Sequence, residues 1–244
     1  MCKAWIHFAK LHNPQATITI FHTKNIHEIQ SFAKRFRNIF FRRMTISKRI
    51  KKVTGGFLHR PVQDLQLSLW EEINKIRLTK FIYIDADALV LGSLKNWWDV
   101  ADEMPYIGIP ERALPGGSVL LNAGIFSYSS KSEFVTVNKL MKQYKRDGNQ
   151  IRFQAGQQGL INAYFQYLGY DYTHTKIGFE YNVLARYSRT LYLNDAEVVV
   201  ESGRYPFLKR IRNAIFPFYD DWAAGWLRWN KPKRAIILHA FGGK

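Results

Sequence analysis

Acid and cysteine are what this sequence has least of. Its 244 residues include 19 Asp and Glu against 36 Lys and Arg, and one cysteine, Cys2. A single thiol excludes an internal disulfide framework and any cysteine-based zinc site, and it predicts a reducing compartment. The sequence has no apolar run long enough to span a bilayer, no charged leader before an apolar stretch, and no Asn-x-Ser/Thr acceptor. Together these absences predict a cytoplasmic protein. What is present suits a sizeable core: 47% of the residues are hydrophobic and 15% aromatic, which excludes disorder as the theme of the chain.

The net charge of +17 speaks of partners rather than of fold. From Ser31 to Pro61 there is no acid, while Lys34, Arg35, Arg37, Arg42, Arg43, Lys48, Arg49, Lys51, Lys52 and Arg60 all fall there. That run reads equally well as solvated charge over a core helix. A second cluster, between Arg204 and Arg234, interleaves cations with Tyr205, Phe207, Phe216, Phe218, Trp222, Trp226 and Trp229. Basic and aromatic residues mixed in this way predict contact with an anionic membrane surface. Charge alone predicts weak, salt-sensitive affinity for nucleic acid and no specific recognition of it.

Hydrophobic periodicity organises the rest. "ATITIF" (Ala16 to Phe21) reads as a strand, and Ile29, Phe32, Phe36, Ile39 and Phe40 recur at helical spacing after Ile26. Val62 to Ile76 predicts a helix with Leu65, Leu69 and Ile73 on one face, leading into the inner strand Phe81 to Ile84. Further strands are expected at 104–110 and 122–129, around a Pro-Gly-Gly turn at Pro115 to Gly117. Helices are expected at 132–144 and 157–167, and a closing strand at Ala235 to Leu238. Strands alternating with helices predict an α/β fold with a mainly parallel central sheet, in which ligands bind beyond the carboxyl ends of the strands.

Asp85 and Asp87 fall at such an end. In an extended strand, residues two apart point the same way, so their like charges ask for a cation between them. The plainer alternative is an ion pair with a neighbouring Lys or Arg. His239, after the closing strand, adds an imidazole, and two carboxylates with one imidazole suit Mn²⁺ or Mg²⁺ with open positions for phosphate oxygens. Gly242 and Gly243 would let backbone amides approach a diphosphate, and Lys244 would add a cation.

In order along the chain, "YIDADALVLGSL", "LNAGIFSYS", "QQGLINAYF" and "ILHAFGG" resemble the motifs of glycosyltransferase family 8, the glycogenin-like and lipopolysaccharide-galactosyltransferase-like enzymes of the GT-A fold. That resemblance covers most of the chain from about Ala4. It implies retaining transfer from a nucleotide sugar, UDP-linked, to an acceptor hydroxyl, and the basic aromatic segment predicts that the acceptor is a glycan or is lipid-linked. By the same resemblance Asp85, Asp87 and His239 would bind Mn²⁺. Ala86, Asn122, Ala123, Gly124, Gln157, Gln158, Gly242 and Lys244 would line the donor site, with Asn122 and Gln158 nearest the chemistry. Read without that context, Asn122 equally fits a turn cap, Gly124 a close backbone approach and Gln158 a helix start.

The chain departs from the family pattern in three places. Met1 stands almost at the first helix where the family begins with a strand, Gln157 replaces an aspartate, and Lys244 comes one residue early. The expected organisation is a catalytic domain over 1–203, a basic aromatic segment over 204–233 at the inner face of a membrane, and a closing catalytic motif over 234–244. Two other readings stay open: a degenerate GT-A module that binds glycan or membrane without turnover, and an aspartate-nucleophile phosphatase, whose opening motif "FIYIDADALV" also resembles.

Overall fold

The structure, a computed structural model, describes residues 2–45, 61–113, 119–130, 136, 138–139, 142, 177, 179–181, 183–184, 188–194, 197–202, 233–234 and 236–239. The segment 204–229, the turn at Pro115 to Gly117, the helix at 157–167 and nearly all of that at 132–144 lie outside the described residues.

Helix α1 (Cys2–His12) buries Ile6 and Ala9. Ala9 meets Ile18 and Val90 in one small apolar cluster, so the first helix is packed against two strands. Lys10 is buried on the same helix and stays tolerable because its Nζ donates to the carbonyls of Pro14 and Ala16, both at 2.8 Å. Strand β1 (Ile18–His22), helix α2 (His27–Ala33) and strand β2 (Ile39–Arg43) form a β-α-β unit with parallel strands, Ile18 opposite Ile39. Here the helical reading of Ile39 and Phe40 is corrected. Asn38 takes φ 59, a left-handed value that asparagine tolerates, and its carbonyl accepts the Ile18 amide at 2.9 Å, so the chain leaves the helix and starts a ladder.

Helix α3 (Pro61–Lys75) buries Leu67, Leu69, Trp70 and Ile73. It leads to β3 (Lys80–Ile84), β4 (Ala88–Val90) and the short α4 (Lys95–Val100), then β5 (Tyr106–Ala113) and β6 (Val119–Ser129). The sheet β3-β6-β5 is antiparallel throughout. A mainly parallel sheet was expected; parallel pairing holds for β1 with β2, whereas the sheet that leads to Asp85 is antiparallel. Nor is β3 a buried inner strand: all five of its residues are half-buried, and among the described strands it bonds only to β6.

Alternation gives this sheet two faces of different chemistry. Phe81 and Tyr83 stack with Phe126 and Tyr128 on one. Ile82 and Ile84 lie on the other, against a core of Trp97, Val100, Ile107, Ile109, Ile125 and Ile237. Trp97 has no exposed surface and donates its indole N–H to Ser127 Oγ at 2.9 Å, which fixes α4 on the sheet.

Strand β7 (Val183–Leu184) follows a 3₁₀ turn at Phe179–Tyr181, and β8 (Ser188–Asn194), β9 (Glu197–Ser202) and β10 (Lys233–Arg234) form an antiparallel sheet. The closing strand β11 (Ile237–His239) lies between β4, antiparallel, and β7, parallel. Among the described residues no helix is long and apolar enough to cross a membrane.

Candidate active site

Asp85 is the first residue past β3. Its amide donates to the Gly124 carbonyl at 2.7 Å, which extends the ladder by one step, and its own carbonyl accepts the Ala88 amide at 3.1 Å. The second bond closes a four-residue turn. Asp85 and Asp87 are therefore brought together by a turn between β3 and β4, and the strand alternation expected from the sequence does not apply to them. Ala86, at the tip, is exposed, while both aspartates are half-buried.

Three neighbours shape Asp85. The Tyr83 hydroxyl donates to Asp85 Oδ1 at 2.5 Å. Burial pushes the Tyr83 hydroxyl well above its usual range; the Asp85 charge and hydrogen bond push the same way, Gln66 opposes, and the Asp87 charge adds to the rise. Both carboxylates thus act on one hydroxyl, which stays protonated and serves as a donor. On β6, Gly124 leaves room for the other oxygen: a Cβ there would lie 2.2 Å from Asp85 Oδ2. Asn122, buried, accepts the Gly124 amide on its own Oδ1 at 2.7 Å and so stiffens that approach. That bond is to backbone, in the manner of an Asx turn. Ala123 is buried, and its carbonyl accepts Gln66 Nε2 at 3.1 Å.

His239 reaches the same end of the fold by register. It pairs with Ala88 of β4 and Leu184 of β7, so its backbone stands beside the residue that follows Asp87. Among the described residues no group of three His, Cys, Asp or Glu could hold a metal. Gln157, Gln158, Gly242, Gly243 and Lys244 lie outside the described residues. A hard divalent cation suits the carboxylate pair itself: two anionic oxygen donors in one turn, one of them seated against a glycine.

Sequence reasoning missed Tyr83 and Gln66. Tyr83 carried a signal, since it stands two residues before Asp85 on a strand and so on the same face. Gln66 carried none, because a helical glutamine 19 positions upstream is unremarkable until its amide is seen to reach the Ala123 carbonyl of β6. Past the other end of β4 lies a second feature, an open cleft of about 440 Å³ bordered by Ser93, Lys95, Asn96, Asp99, Tyr181 and Ile236. Tyr181 is nearly fully buried and meets Trp97 edge-on at 5.2 Å, and burial raises its hydroxyl above the ordinary value.

No protein-family model and no curated protein matches the sequence. Solved structures do resemble it. The galactosyltransferase LgtC, in complex with donor and acceptor sugar analogues, aligns over 99% of this chain and 82% of its own with a TM-score of 0.57 and 13% identity. Mouse xyloside xylosyltransferase 1, in its apo form, aligns over 92% and 83% with a TM-score of 0.58 and 9% identity. The chain has a glycosyltransferase fold. It is mixed α/β and similar to the GT-A enzymes, and the carboxylate turn, β6 and the end of β11 converge within that fold.

Proposed function

We propose that the chain is a retaining glycosyltransferase that moves a sugar from a UDP-linked donor to the hydroxyl of a glycan or lipid-linked acceptor. The observation that carries the reading is the carboxylate turn Asp85-Ala86-Asp87, seated on Gly124 at a strand end that also receives His239, on a glycosyltransferase fold. Asp85 and Asp87, with His239 as third ligand, would hold Mn²⁺ or Mg²⁺. When bound, such an ion neutralises diphosphate charge and makes the nucleoside diphosphate a better leaving group.

The chain's own residues have separate tasks. Asp85 and Asp87 supply the anionic oxygens, and Tyr83 keeps one of them in place. Gly124 and Asn122 shape the wall beside the carboxylates, and Gln158 is assigned to the donor sugar. Gln157, Gly242 and Lys244 are assigned to the diphosphate and its sugar. The acceptor hydroxyl attacks the anomeric carbon from the face the leaving group departs; the bond to the diphosphate oxygen breaks, the departing diphosphate takes the hydroxyl proton, and the anomeric configuration is retained. Two carboxylates in one turn do not suit the acid and nucleophile of a glycosidase, which must flank the scissile bond. Arg204 to Trp229 is assigned to an anionic membrane surface, where the lipid-linked acceptor would be met.

Calorimetric titration with UDP tests the reading. Binding that requires Mn²⁺ and is lost in Asp87→Ala is expected. UDP binding indifferent to both the ion and the substitution would overturn it.

A further inference from the structure

One residue beside the carboxylate turn is doing more than filling space. The Tyr83 ring packs 5.0 Å from the Phe126 ring, and a phenylalanine would satisfy that contact equally well. Its hydroxyl instead donates to Asp85 Oδ1 at 2.5 Å. Gln66 of α3 hydrogen-bonds the same hydroxyl and also donates to the Ala123 carbonyl at 3.1 Å. Helix α3, β3 and β6 are therefore joined through three polar groups that end on one carboxylate oxygen. A buried hydroxyl costs stability unless it is bonded, and here the Asp85 carboxylate accepts its hydrogen bond.

We propose that Tyr83 is a positioning residue: its hydroxyl, held in turn by Gln66, fixes the Asp85 carboxylate in one orientation for a divalent cation. The proposal rests on reading Asp85 as a metal ligand. Gly124 makes the orientation sterically available, since any side chain there would collide with Oδ2. Tyr83 makes it the populated one. Without that donor the Asp85 carboxylate loses the hydrogen bond that holds Oδ1, and the cation would have to orient it as it binds.

The test is a Mn²⁺ titration of the nucleotide-free protein, following the spin-resonance signal of the free ion, for wild type, Tyr83→Phe, Gln66→Met and Asp85→Asn, with a thermal melt of each. Tyr83→Phe is expected to bind Mn²⁺ about tenfold or more weakly while melting near wild type, and Gln66→Met to move the same way by less. A merely structural role would shift the melt and leave the affinity of the folded protein alone. Wild-type affinity in folded Tyr83→Phe overturns the proposal, and should that variant not fold, wild-type affinity in Gln66→Met does so. If Asp85→Asn weakens Mn²⁺ and Tyr83→Phe does not, the positioning role alone fails. If wild type binds no Mn²⁺, or Asp85→Asn leaves its affinity unchanged, the metal reading fails and the proposal with it.

Discussion

Gly124 sets the tightest constraint at the scale of single residues. Its missing side chain is the space that Asp85 Oδ2 occupies, with the hypothetical Cβ at 2.2 Å. Gly124→Ala must push either the carboxylate or β6 aside, so it is expected to cost about 1–3 kcal/mol of stability and to abolish Mn²⁺-dependent activity. Chemical denaturation and donor turnover on the same sample check both; an active, fully stable Gly124→Ala would contradict the geometry. The pH response of Tyr181 is a second residue-scale expectation. Burial raises its hydroxyl above the ordinary value near 10, so between that value and the folded one the unfolded chain releases a proton that the folded chain keeps. The stability it confers is complete below about pH 10 and falls as pH rises further. Urea unfolding across pH 8 to 11 should show a shallower alkaline loss in Tyr181→Phe than in wild type.

Between elements, two side chains do the joining. Asn13, in the loop after α1, donates to the Gly92 carbonyl at 3.1 Å and accepts the Leu94 amide at 2.7 Å, so one amide clamps the connection between β4 and α4. Asn13→Ala removes both bonds and is expected to cost about 1–3 kcal/mol in denaturant unfolding. Trp97 anchors α4 from the other side, and Trp97→Ala is expected to cost about 3–5 kcal/mol by the same measurement, as for a large side chain removed from a closed core.

Elements also show what the sequence could and could not tell. Phe81 to Ile84 was legible as a strand because aromatic and β-branched residues alternate up to a sudden acid, and the site followed from that acid. The face of α3 was legible from Leu69 and Ile73. Strand β2 was not, because Phe36, Ile39 and Phe40 satisfy a helical period as well, and the turn that separates them rests on the backbone angle of Asn38. Strand β4 and helix α4, of three and six residues, are too short for periodicity to register. The antiparallel return of β6 onto β3 was hidden because pairing direction lies in the connection and not in the strand.

At the scale of the whole molecule, charge and fold divide the work. The fold brings the aspartate turn, Gly124 and the end of β11 together, while a net charge of +17 surrounds them. Lys34, Arg35, Arg37, Arg42 and Arg43, the described part of the first basic run, are all exposed. With the basic aromatic segment 204–229, this predicts sedimentation with anionic vesicles at low salt that fades as ionic strength passes about 0.15 M and is absent with neutral vesicles. Binding to neutral vesicles that ignores salt would contradict an electrostatic surface.

Hydrolysis of a panel of nucleotide sugars, with and without Mn²⁺, by wild type and Asp87→Ala is the most direct test of the carboxylate turn. Mn²⁺-dependent release of the nucleotide from one donor, abolished in Asp87→Ala, is predicted. Release from no donor, or release that Asp87→Ala leaves unchanged, would contradict a transferase built on this turn.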